Sequence, residues 1–274
     1  MELNDFLKEN RIEMGDIKYP IKKIKTTEDY VLVFLDDEKI MISLESYFKY
    51  GVKDLNGLDD NLYKLFKDDE MYLKAYRGVL RKISAKDHTV KQIRDYLSRT
   101  DLNASQIDEI INRLIEYDLL NDEKYCINKI NYYNNTNLSS KQIRQKLIKE
   151  GVDIELIKQY LNNDYSDEYR KAKALAEKYN RTIKGKSVNM VKQTILNKLV
   201  SNGFSYEISK SVVDELNINN ENELELLKKE YLKALNKYQK KYEDYELQNH
   251  IYSYLMNKGF KSEDIKKVLE ELHG

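Results

Sequence analysis

The sequence predicts a mainly α protein, with tandem three-helix repeats forming an elongated, curved array after a small β-meander and one helix. Three observations carry that expectation. One Pro and nine Gly in 274 residues, with 34% of residues charged, suit long amphipathic helices and not a turn-rich β architecture. Strand-like patterning is confined to residues 17–44. From about Asn61 onward the apolar period is helical, and it recurs at intervals of about fifty residues.

The elements follow in order. Ile21 and Ile24 precede the turn-like Thr26-Thr27-Glu28-Asp29, the run Tyr30–Leu35 is aromatic and β-branched, and Asp36–Lys39 turns into Ile40-Met41-Ile42. This reads as a three-stranded meander. A helix over about Leu44–Tyr50, stopped by Gly51, is expected to cover one face, because so small a sheet does not stand alone. Residues 1–60 form this N-terminal α+β module.

Repetition organises the rest. Lys91-Gln92-Ile93-Arg94 returns as Lys141-Gln142-Ile143-Arg144, and the spacing of Ile93 and Leu97 recurs at Ile143 and Leu147, Ile195 and Leu199, and Ile251 and Leu255. The shifts are 50, 52 and 56 residues, so there are four copies: 61–122, 123–165, 166–218 and 219–274. Four positions after each of the last three Leu stands a glycine (Gly151, Gly203, Gly259) followed by Val152, Phe204 or Phe260. Glycine there suits the left-handed residue that ends a helix, and in the first copy Asp101-Leu102 is expected to do the same.

Nine and ten positions beyond come Ile110-Ile111, Tyr160-Leu161, Val212-Val213 and Val268-Leu269, the core stripe of a third helix. A first helix carries Tyr72, Tyr76, Val79 and Ile83 in one copy and Tyr169, Ala172, Leu175 and Tyr179 in another. Thr89, Ser139 and Ser187 stand where the second helix needs an N-cap. Short modules of this kind bury a continuous core by stacking, hence the expected curved array with a concave face.

Composition narrows the chemistry. The 47 Lys and Arg cancel the 47 Asp and Glu, so a nucleic-acid or membrane partner would need a local patch. A single cysteine, Cys126, excludes an internal disulfide framework and a multi-thiolate metal site; it reads as a small core residue, and a reducing cytoplasm fits. Met1–Asp5 has no leader character and no apolar run approaches membrane-spanning length, so neither export nor a membrane partner is expected. Phosphate-binding glycine loops, nucleophile elbows and metal-ligand spacings are absent, and His88, His250 and His273 are scattered over different modules. The chain reads as a non-enzyme with no catalytic residues, metal or cofactor.

Three-helix modules with a sharp turn before the third helix invite comparison with helix-turn-helix readers of DNA. The third helices, however, are expected to open on Asp108 and Glu109, Asp153 and Glu155, Glu207, and Glu263 and Asp264, which suit a helix N-terminus but repel phosphate. One segment stands out instead. Between Arg170 and Lys198 lie nine basic residues (Arg170, Lys171, Lys173, Lys178, Arg181, Lys184, Lys186, Lys192 and Lys198) against one acid, Glu177. All but Lys198 are taken as candidate contacts to an acidic partner or DNA; a solvated basic face is the plainer alternative.

These residues resemble a known family. Leu114–Cys126, in which an aliphatic pair, two acidic or amide residues and an aromatic follow a helix, resembles a signature of RecX-type regulatory proteins, and Ser140–Leu161, with Lys149-Glu150-Gly151-Val152 at its turn, is similar to the family's second unit. Glu150 and Val152 depart from that pattern. Asn202-Gly203-Phe204 and Lys258-Gly259-Phe260 resemble the Lys-Gly-Phe turns of later units, with Asn202 replacing Lys. The likeness covers roughly residues 70–274, and the preceding meander is similar to the extra N-terminal domain of longer, Gram-positive-type members. The resemblance implies a monomeric, non-catalytic regulator acting in recombination, repair and the SOS response. It implies binding in the groove of the RecA filament on single-stranded DNA and modulation, in the sense of inhibition, of filament assembly, ATP hydrolysis and strand exchange. An autonomous nucleic-acid-binding repeat protein is the alternative reading.

Overall fold

Strands β2 (Lys23–Thr26), β3 (Val31–Phe34) and β4 (Lys39–Ile42) form the expected antiparallel meander in the order β2-β3-β4. A period of two puts Val31, Val33, Ile40 and Ile42 on one face, and all four are fully buried. A second pair, β1 (Tyr19–Pro20) with β5 (Gly57–Leu58), closes the module; two-residue strands carry no alternation to read. The computed structural model describes residues 15–218 and 222–273, so the reading of Met1–Asp5 lies outside the described residues.

Helix α1 (Leu44–Lys49) is capped by the Ser43 hydroxyl, which accepts from the Ser46 N–H, and Gly51 at φ 56° follows its end. It does not cover the sheet alone. Six residues are too few, and no side chain of α1 is fully buried. The face is closed by α2 (Asp60–Ala85), whose Leu62 and Phe66 join the valines and isoleucines of the sheet in one core. One turn pair later the same helix gives Ala75 and Val79 to a second core, with Ile93, Leu97, Ile110, Ile111 and Leu114. Glu70 and Asp69 of α2 accept the N–H groups of Met41 and Ser43, which blunts the β4 edge.

Four helix triplets follow: α2, α3 (Val90–Leu97) and α4 (Ala104–Glu116); α5 (Asp122–Asn135), α6 (Ser140–Glu150) and α7 (Ile154–Tyr160); α8 (Tyr165–Thr182), α9 (Val188–Ser201) and α10 (Tyr206–Glu215); α11 (Glu223–Tyr238), α12 (Asp244–Asn257) and α13 (Ser262–His273). The chain divides into two compact units. One runs to Tyr125 and takes in Glu150–Val152; the other comprises Cys126–Lys149 and the residues from Asp153 onward. Every Ile and Leu of the repeated spacing, from Ile93 and Leu97 to Ile251 and Leu255, has 0% exposure. In the third-helix stripe Tyr160 and Leu269 are only half-buried; the other six residues are buried.

Gly151, Gly203 and Gly259 take φ of 94°, 89° and 81°, as a left-handed helix end requires. Asp101 does not: positive φ among the described non-glycine residues occurs at Asp118, Asn137 and Asp244. Helix α3 stops at Leu97, and both the N–H and the hydroxyl of Thr100 bond the Leu97 carbonyl, at 2.9 and 2.6 Å. The hydroxyl satisfies the carbonyl that a left-handed turn would otherwise serve, so no such residue is needed.

Thr89, Ser139 and Ser187 each accept the N–H three residues on, at 3.2, 3.2 and 3.3 Å, as N-caps should. Each also donates its own proton to a remote helix end. In the first unit Thr89 bonds the Glu150 carbonyl (2.6 Å); in the second, Ser139 bonds that of Asn202 (2.6 Å) and Ser187 that of Lys258 (2.7 Å). The next residue completes the joint with its N–H on a carboxylate: Val90 on Asp122, Ser140 on Glu168 and Val188 on Glu223, at 2.8 to 2.9 Å. Gly203 and Gly259 lie against the caps Ser139 and Ser187, whereas Gly151 lies against the Lys91 side chain. A Cβ on Gly203 would sit 2.8 Å from the Ser139 Oγ, so that position needs glycine for space as well as for φ.

Candidate interaction surface

The exposed basic cluster arises where α8 hands over to α9. Helix α8 ends at Thr182, Ser187 is pinned as the cap of α9, and the short connection between them turns at Gly185, φ 67°. A polar connection at a module surface stays in water, and Lys184 and Lys186 are both exposed. With Arg181 they border a concavity of about 460 Å³ that also takes in Asn180, Asn217, Asn222 and Glu223, the last of which accepts the Val188 N–H. Asn180 donates to the Asn217 carbonyl at 3.0 Å, tying α8 to the segment after α10.

Little offsets these three charges. The Arg181 side chain is 78% exposed and reaches Glu177 only at 4.0 Å. Lys186 donates to the Thr194 hydroxyl at 3.1 Å, a neutral partner, and Lys184 makes no ion pair with a described residue. Their joint field therefore faces solvent and favours an acidic partner.

The structure does not bring the other candidates into this cluster. Lys171 is a correction: its side chain is 1% exposed, with Nζ 2.7 Å from Asp167 Oδ2, 2.8 Å from Asn134 Oδ1 and 3.7 Å from Glu168 Oε1. A lysine this deep is held by its partners and offers nothing to a surface. Burial tends to raise the Asp167 pKa, but the bonds from Lys171 and Arg170 outweigh it and hold the carboxyl below its usual range. Arg170 pairs with Asp167 at 2.5 Å and Lys173 approaches Glu215 at 3.9 Å, so both are partly neutralised. Lys178 is exposed and Lys192 half-buried, while Lys198 lies 4.8 Å over the Tyr179 ring. Spacing within a helix cannot show which lysine faces the neighbouring module.

The third helices also differ from expectation at one end. Helix α4 begins at Ala104, capped reciprocally by Asn103 and Gln106, so Asp108 and Glu109 sit a turn inside it; Asp108 pairs with Arg94 at 2.6 Å. Asp153 caps α7, and Glu155, Glu207, Glu263 and Asp264 do occupy first turns. Cys126 is buried, the His88 ring bonds the Lys86 carbonyl at 2.8 Å, and His250 stacks on Tyr242 at 3.9 Å. Among the described residues no group of His, Cys, Asp and Glu could hold a metal, and no helix is long and apolar enough to cross a membrane. Arg77, Arg81 and Arg113 carry no signal in the sequence that sets them apart, yet the first unit gathers them at one groove. Arg77 and Arg81 share a helix face by spacing, but nothing local links them to Arg113.

Comparison with known proteins places this architecture. The model of the first three-helix domain of RecX matches residues 75–114, and that of the third three-helix domain of RecX matches residues 221–269. A regulatory protein RecX from Lactococcus lactis subsp. lactis is 34% identical over 266 residues, covering 94% of this chain and 98% of the relative. Another, from Streptococcus mutans serotype c, is 35% identical over 198 residues, covering 69% of this chain and 74% of the relative. A crystal structure of regulatory protein RecX superposes with a TM-score of 0.58 at 21% identity, over 72% of this chain and 100% of that one, a likeness of fold.

Proposed function

This chain belongs to the RecX family of regulatory proteins, and from that premise we propose that it regulates the RecA recombinase by binding its nucleoprotein filament on single-stranded DNA. It acts without catalysis of its own, as a cytoplasmic monomer, and slows filament assembly, ATP hydrolysis and strand exchange. The observation that supports this reading beyond family membership is the cluster Arg181, Lys184 and Lys186, three largely uncompensated cations at the end of α8 and on the short connection to α9. Tandem modules can engage successive protomers of a polymer, and simultaneous weak contacts raise avidity through effective concentration. No single contact need be strong.

A filament assay tests this directly. Adding the intact protein to recombinase filaments on single-stranded DNA should slow ATP hydrolysis and strand exchange; unchanged rates up to stoichiometric protein would refute the proposal. Arg181→Glu/Lys184→Glu/Lys186→Glu should keep its thermal melt, since exposed charges contribute little to stability, yet require at least about tenfold more protein for the same effect. If that folded variant regulates at the parental concentration, the cluster is a solvated face.

A further inference from the structure

A second basic surface lies in the first unit, where the N-terminal sheet module meets the first helix triplet. The groove between them has a volume of about 980 Å³. One wall is built by α2, where Arg77 and Arg81 follow Lys74 at a spacing that keeps all three on one helix face, and Arg113 of α4 extends it. Lys74 is committed to Glu70 at 3.0 Å. The three arginines are not: Arg94 and Arg170 pair with Asp108 and Asp167, whereas Arg77, Arg81 and Arg113, like Arg99 and Arg144, make no ion pair with any described residue.

Aromatic rings are interleaved with these guanidinium groups. Arg77 lies 4.5 Å from the Tyr30 ring centroid and Arg113 5.2 Å from that of Tyr76, while Tyr72 and Tyr76 stack at 6.4 Å with planes 10° apart. Burial, and after it the neighbouring Glu109 carboxylate, push the pKa of the Tyr72 hydroxyl up to about 12, against the opposing pull of Arg113. Unpaired cations alternating with flat rings along an open groove match a ligand that alternates anionic and planar groups. The groove's lining also includes Glu28, Asp29 and Glu45, whose charge disfavours phosphate beside them and leaves the arginines as the place for it.

We propose that this groove binds single-stranded nucleic acid, with phosphates on Arg77, Arg81 and Arg113 and bases against Tyr30 and Tyr76. An acidic peptide would satisfy the guanidinium groups but leave the rings without a role. The site does not depend on the recombinase reading, because it would act on a naked strand.

Fluorescence anisotropy of a labelled oligothymidine with the intact protein is the test. Arg77→Ala/Arg81→Ala, verified as folded by its melt, should weaken binding at least about tenfold and flatten the log–log salt slope by about two. Tyr30→Leu should weaken it about tenfold with the slope unchanged. Arg181→Glu/Lys184→Glu/Lys186→Glu should leave it as it was. Absence of binding by the intact chain, or an Arg77/Arg81 variant that binds like the parent, overturns the proposal. So does an abasic strand bound as tightly as oligothymidine, or a glutamate-rich peptide that displaces the strand at equal concentration.

Discussion

The caps of the second helices and the caps of the third helices use one local motif in two environments. Thr89, Ser139 and Ser187 are buried and each makes two hydrogen bonds, accepting from their own helix and donating to a remote carbonyl. Asn103, Asp153 and Ser205 are exposed, and their side chains accept from their own helix only. A carboxylate or amide oxygen can do the second job. Only a hydroxyl, at once acceptor and donor on one atom, can do the first. A carboxylate at a cap therefore excludes a helix end resting on it, whereas a hydroxyl permits one without requiring it, as Ser205 shows.

The largest way to break a joint is to fill it. Gly203→Ala adds left-handed strain and drives a Cβ to 2.8 Å from the Ser139 Oγ, whereas Gly185→Ala at φ 67° meets nothing within 4 Å. Chemical denaturation should show a loss of about 3 kcal/mol at Gly203 against about 1 kcal/mol at Gly185. Equal losses would mean that the joint tolerates the extra methyl and that φ alone demands the glycine.

Removing the hydroxyl should cost less but separate the two classes of cap. Ser139→Ala gives up a cap and leaves the Asn202 carbonyl unpaired, for about 2 kcal/mol; Ser205→Ala gives up a cap only, about 1 kcal/mol. Aspartate sharpens the contrast. Ser205→Asp should be neutral, while Ser139→Asp should be no better than alanine, since it cannot donate and sets a carboxylate against a carbonyl oxygen. A Ser139→Asp variant as stable as the parent would show the remote bond to be worthless.

The smallest effect concerns the carboxylate partner. Asp122 accepts the Val90 N–H, and burial raises its pKa above the ordinary 3.8 despite that bond. The folded chain then binds a proton more readily than the unfolded chain between those two values, so this group's contribution to stability falls as pH rises through that window and is level above it. Asp122→Asn keeps an acceptor without a buried charge. Its stability relative to the parent should climb from about pH 4 upward, by under about 1 kcal/mol, and then stay flat. A relative stability that instead declines with pH would mean the charge itself holds the joint.

Much of this fold was legible because its signals are local and repeated. Ile93 and Leu97, with their three counterparts, declared the module length and proved fully buried, and Gly151, Gly203 and Gly259 declared the helix ends. Asp101 was misread because the Thr100 hydroxyl gives the Leu97 carbonyl a different partner. The candidate surface was less legible. Gly185 marks Lys184 and Lys186 as lying on a connection, but Arg181 belongs to the last turn of α8, and a count of charges could not separate the three from Lys171.

Sequence alone determined the meander, the repeated Ile and Leu spacing, the three glycine helix ends and the second-helix caps, because each depends on side chains within a few residues of one another or on a period of 2 or 3.6. Tertiary structure decided what those features touch. It made Thr89, Ser139 and Ser187 donors to carbonyls 61, 63 and 71 residues away, and it sank Lys171 among Asp167, Glu168 and Asn134. It also drew Arg113 to the groove of Arg77 and Tyr30. Those pairings depend on how one helix packs on another, and the hydrogen-bonding capacity of a hydroxyl or the charge of a lysine is the same whether its partner is water or a distant backbone.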